Sequence, residues 1–88
     1  MIAMVQLHEE LVVRVAVVRS WGIGILTGDG ESGLVDNVKI PSWRDSGATP
    51  AVGEEVLVVV LDDARAPFRA SAMQDDLEIG RRLRAAGK

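Results

Sequence analysis

Leu11-Val-Val-Arg-Val-Ala-Val-Val-Arg-Ser-Trp-Gly-Ile-Gly-Ile-Leu-Thr27 carries the pattern from which the rest of the chain is read. In its first half, Leu11, Val13, Val15 and Val17 recur at a period of two. Val12, Arg14, Ala16 and Val18 fill the alternate positions, with Arg14 marking the wetter side. This predicts a long strand ending at Arg19 and Ser20. The second half predicts another strand over Gly22–Thr27. Two glycines inside a strand weaken it unless they serve a bend or a close backbone approach.

Gly28-Asp29-Gly30 follows, and an Asp-Gly step between apolar runs signals a hairpin. A short third strand is expected over Gly33–Val38. Lys39 to Ala51 contains two prolines, a glycine and Trp43, which predicts a long loop with room for one helical turn. A loop of that length in so small a domain is often functional. Val56–Leu61 is apolar on both faces and reads as the most buried strand. Asp62–Pro67 turns the chain, and Phe68–Ala72 makes a fifth strand. The tail changes period: Asp75 and Asp76 precede Leu77, Ile79 and Leu83, and Arg81, Arg82, Arg84 and Lys88 supply a basic end. Acids first and bases last suit a helix dipole, although Gly80 costs about 1 kcal/mol relative to Ala inside a helix. The expected organisation is an arm over 1–10, which could supply an extra strand, a barrel over 11–73 and a helical tail over 74–88. Five short strands, with the long loop between the third and fourth, predict an all-β, five-stranded Greek-key barrel of the OB type with a short C-terminal helix. Closure would remove the exposed edges of such Val-rich strands.

Composition bounds the rest. The 88 residues make room for one domain. Thirteen carboxylates against ten fixed cations give a net charge of −3, which argues against a strongly basic nucleic-acid clamp. Without cysteine there is no disulfide framework, zinc ribbon or thiol nucleophile. Apolar residues make up 48%, thirteen of them Val, a stiff side chain suited to pleated sheets. No apolar run approaches the roughly 18 residues of a membrane span. No basic segment precedes a long apolar stretch, so a cytoplasmic location is expected.

Three segments resemble the S1-motif family: Val18-Arg-Ser-Trp-Gly-Ile-Gly-Ile-Leu26, Gly33-Leu-Val35 and Val52-Gly-Glu-Glu-Val-Leu-Val-Val-Val60. In that pattern an aromatic-Gly pair opens the second strand, Gly-Leu-Val forms the third, and Val-Gly with an acidic pair leads into the fourth. Gly22-Ile-Gly-Ile-Leu26 is similar to the second strand of the related cold-shock domains. The resemblance runs over roughly Val12 to Met73. It implies binding of single-stranded RNA or DNA on the face of strands two and three, where bases stack on aromatic rings and cations hold the backbone.

The chain departs from both patterns. The first S1 aromatic matches Trp21, but the second position is Gly24. The histidine after Gly-Leu-Val is Asp36, a carboxylate that repels phosphate. In the cold-shock alignment the aromatic positions are Ile23 and Ile25, and Leu34 replaces another. The basic residue before the fifth strand is Arg69 or Arg65, with Asp62 or Asp63 ahead of it.

The candidate nucleic-acid contacts are therefore Trp21, Arg14, Arg19, Lys39, Trp43, Arg44 and Arg69. Trp21 reads either as a stacking platform or as a barrel-end ring with its indole N–H on a carbonyl. Trp43 beside Arg44 reads either as a base grip or as a plug in one barrel mouth. Gly22 and Gly24 do not make a dinucleotide fingerprint, because Thr27 takes the third glycine's place and no strand-helix-strand unit follows. His8 is the only histidine. Asp62-Asp63 and Asp75-Asp76 are explained by a turn and a helix cap without a metal. The sequence thus predicts a non-catalytic binder with no cofactor and no metal. The alternative is a protein-interaction module that has lost its nucleic-acid face and docks a partner through Ile23, Ile25 and Leu34, with Asp36 as an acidic rim.

Overall fold

A computed structural model of the chain describes residues 5–64 and 66–86. Arg65, Gly87, Lys88 and the first four residues of the arm lie outside the described residues. The strands are β1 (Glu10–Arg19), β2 (Gly22–Leu26), β3 (Ser32–Asp36), β4 (Glu55–Asp62) and β5 (Phe68–Ser71). They close into a barrel in the order β1-β2-β3-β5-β4. All neighbours are antiparallel except β3 and β5. This is the five-stranded OB-type barrel expected from the alternation. β1 serves both halves of it: its start pairs with β4, its end with β2, and Arg14 sits in both registers.

One local feature departs from the simple alternation. The β1–β2 register runs Val15 to Ile25 and then Val17 to Gly24, so Ala16 is an extra residue on β1. Such a bulge bends the strand and inverts its phase. Beyond it Val18, not Val17, packs against the core. The expectation that Val17 continues the inward row is corrected accordingly.

The interior is filled by β-branched residues of β1 to β4, including Val13, Ile23, Val35 and Val58, around the fully buried Phe68 ring of β5. Gly22 is required where β2 meets β3: its φ is +153°, and a Cβ there would strike the Val35 carbonyl oxygen. The long loop is more ordered than its composition suggests. A 3-10 turn over Asn37–Lys39 leads into α1 (Pro41–Ser46), which has Pro in its first turn. Gly47 ends α1 at φ 74°, its N–H donating to the Trp43 carbonyl at 2.8 Å.

The tail forms α2 (Gln74–Ala86) and docks on the outside of β4. Val59 points away from the barrel core yet is fully buried, which explains why β4 is apolar on both faces. Gly80 permits the approach, because a Cβ there would lie 2.8 Å from a Val59 methyl. The helix spans one cross-strand row, Glu10–Val59–Ser71, and engages each member. At one end Ser71 donates to Asp76 at 2.6 Å, and Lys39 donates to the same oxygen at 3.0 Å. At the other, Arg81 and Arg84 donate to the Glu10 carboxylate at 2.7 and 2.6 Å, and Arg84 also donates to the His8 carbonyl. The hydrogen bonds from Arg81 and Arg84 hold Glu10 at a pKa of about 2. Partial burial pushes Asp76 up, but the Ser71 and Lys39 hydrogen bonds and the Lys39 charge outweigh it and leave the carboxyl below its ordinary range.

Candidate nucleic-acid interface

α2 covers β4 and reaches β5 at Ser71, and the wall formed by β2, β3 and β5 otherwise lies away from it. Its outward residues follow from the register. Ile23, Ile25, Val35, Phe68 and Ala70 point inward, so Gly24, Leu34 and Arg69 point outward and lie side by side, flanked by Val17 on β1 and Asp62 on β4. The next outward row is Arg19–Gly22–Asp36. Trp21 sits in the turn beside that row with 42% of its surface exposed. Its carbonyl accepts from the Asn37 N–H at 2.8 Å, and the Asn37 side-chain amide donates to the Ser20 carbonyl at 3.1 Å. The β1–β2 turn is thereby tied to the end of β3, which fixes the backbone carrying the ring. Exposed Val38 follows Asn37 in the 3-10 turn after β3.

The predicted contacts divide. Trp21, Arg19 and Arg69 belong to this wall. Arg44 is exposed on α1. Its neighbour Trp43 is half-buried and packs against the core cluster. Lys39 is half-buried and turned to Asp76, where it secures the start of α2. Arg14 lies on the β1–β4 seam, 3.9 Å from Glu55, in a shallow groove with Val12 and Leu26. That groove is a different part of the surface from the Trp21 turn.

The rival docking patch needs correction. Ile23 and Ile25 are at most 1% exposed and fill the barrel, so they present nothing to a protein partner. Only Leu34 of the three faces outward, half-buried. The cold-shock alignment sets its aromatic positions at these same inward residues, Ile23 and Ile25. In the S1 alignment Trp21 and Gly24 do lie on the outer side.

Two physical features define what this wall can hold. First, it offers one exposed ring. Gly24 occupies the second stacking position, and a Val17 methyl leans over it, 2.7 Å from where a Cβ would stand. Second, its charges alternate: Arg19 and Asp36 flank Gly22, and Arg69 is paired in register with Asp62. Sequence reasoning missed Val17 and Asn37, because the bulge at Ala16 and the link from Asn37 to Ser20 are set by strand pairing rather than by local pattern.

No family model matches this chain, and no curated protein does. Among solved structures, the chain is similar to the uncharacterized protein MJ1198 from Methanocaldococcus jannaschii. That match has a TM-score of 0.64 and 17% identity over 80% of this chain and 95% of the other. It is also similar to GSP13 from Bacillus subtilis, with a TM-score of 0.64 and 22% identity over 81% of this chain. The match spans 56% of GSP13's own length. Likenesses at these identities establish the barrel fold.

Proposed function

We propose that this protein is a non-catalytic, cytoplasmic binder of single-stranded RNA, with the S1-type arrangement as its basis and weak, sequence-tolerant affinity as its character. The observation that carries this reading is an exposed Trp21 ring at the edge of the β2–β3–β5 wall, at the position where the S1 pattern places its first aromatic. A base stacked on that ring contributes roughly 1–3 kcal/mol, and every base has a face to stack. Arg19 and Arg69 supply cations for the flanking phosphates, while Asp36 and Asp62 moderate the field. A single chain with one free ring and few available cations binds in the weak regime.

Titration of labelled oligo-U at 50 and 200 mM salt tests this. With two to three phosphates neutralised, a single-strand slope of about −0.7 per phosphate predicts a loss of about 7- to 20-fold across that range. Trp21→Ala should weaken binding by roughly 5- to 150-fold, the equivalent of one stacked base. Absence of binding at the lower salt, or binding indifferent to Trp21→Ala, contradicts the proposal.

A further inference from the structure

A wall that holds phosphates is served by cations, yet Asp36 stands exposed on it. The carboxylate does no structural work there. Asp36 is the N-cap of the 3-10 turn but makes no side-chain cap hydrogen bond, and it forms no ion pair among the described residues. Its place beside the ring is fixed by strand pairing. Asp36 lies opposite Gly22, so close that a Cβ on Gly22 would stand 3.0 Å from the Asp36 Cα. The next residue, Asn37, donates its backbone N–H to the Trp21 carbonyl at 2.8 Å. The α-carbons of Trp21 and Asp36 are therefore at most about 9 Å apart, the span of a purine and one hydrogen bond.

We infer that Asp36 reads the edge of the base seated on Trp21, and that the base it selects is guanine. This rests on the single-stranded RNA reading above and adds to it a preference at one position, while stacking itself stays blind to the base. An ionised carboxylate only accepts, through two adjacent oxygens. Its match is a base edge with two adjacent donors. On guanine, N1–H and the 2-amino group stand side by side on the Watson–Crick edge, which is open in a single strand. Uracil offers one donor, N3–H, between two carbonyl oxygens that a carboxylate repels. Adenine and cytosine each set one amino group beside a ring-nitrogen lone pair. Guanine alone engages both oxygens without opposing a lone pair, and the negative charge strengthens both bonds. Arg19, across Gly22 in the same row, offsets the repulsion between Asp36 and the adjoining phosphate.

Anisotropy titrations of the RNA strands UUGUU, UUIUU and UUUUU at about 50 mM salt test this. UUGUU should bind about 5- to 30-fold tighter than UUUUU, the effect of one bidentate base contact at an exposed site. Inosine keeps N1–H and lacks the amino group, so UUIUU should fall between them. Asp36→Asn should bring UUGUU and UUUUU within about twofold of each other, because an amide pairs one donor and one acceptor with either base. It should also tighten UUUUU, since a charge that repels phosphate is gone. The Asp36 side chain is exposed and caps nothing, so the thermal midpoint of the variant should match that of the wild type. Strands that bind equally well, each dependent on Trp21, overturn this inference and leave the RNA reading standing. A guanine preference that survives Asp36→Asn does the same. Failure of all three strands to bind overturns both together.

Discussion

If the wall binds bases through one ring because Gly24 has no side chain at the second position, where Val17 covers it, placing a ring there should create a second platform. The obstacle is visible in the packing. A Cβ at residue 24 lies 2.7 Å from a Val17 methyl, well inside van der Waals contact. Gly24→Phe alone should therefore strain the outer face, costing about 1–3 kcal/mol and leaving its ring displaced. Adding Val17→Ala removes that methyl. Val17 is half-buried and outside the core cluster, so its truncation should cost little. The double variant should fold near wild-type stability and present two rings on adjacent parts of the wall. A second stacked base contributes roughly 1–3 kcal/mol, so affinity for oligo-U should rise by about 5- to 150-fold. Fluorescence anisotropy gives the affinities, and thermal melts in parallel report whether the barrel is intact. A double variant that folds normally yet binds no tighter would refute the reasoning that residue 24 faces the bound strand.

Gly33→Ala should destabilise the barrel by about 1–3 kcal/mol, since its Cβ would meet the Phe68 ring at 2.5–2.7 Å; Phe68→Leu should recover part of that loss in the double variant, as measured by denaturant unfolding. Trp43→Ala should lower the thermal midpoint by several degrees while leaving oligonucleotide affinity within about twofold, the reverse of Trp21→Ala. Glu10 has its pKa lowered from 4.5 to about 2 by its arginine partners. Its contribution is therefore complete above about pH 4.5 and is lost as pH falls toward 2. Between pH 5 and about 2.5 the wild type should lose more stability than Glu10→Gln, and parallel pH curves for the two would contradict the latch between β1 and α2.

Most of the fold was legible because its signals are local. The alternation from Leu11, the Asp29-Gly30 turn and the apolar run at Val56–Leu61 each act over a few residues, and the strands begin and end within about two residues of where those patterns place them. The site was less legible because it depends on which side of a strand faces out. One inserted residue, Ala16, exchanges the roles of Val17 and Val18, and nothing in its local sequence announces it. The partners of Lys39 and Glu10 lie 37 and more than 70 residues away, so a cation that reads as available for phosphate is already committed to α2. Gly80, a flaw by helix propensity, marks where α2 touches Val59.

Backbone amide mapping by heteronuclear NMR, with unlabelled oligo-U titrated into the isotope-labelled protein, tests the central claim most directly. Shifts concentrated at Trp21, Gly24, Leu34, Asp36 and Arg69, with α2 and β4 unmoved, are the predicted result. Shifts confined to α2 or to the Arg14–Glu55 groove, or none at saturating oligonucleotide, would contradict it.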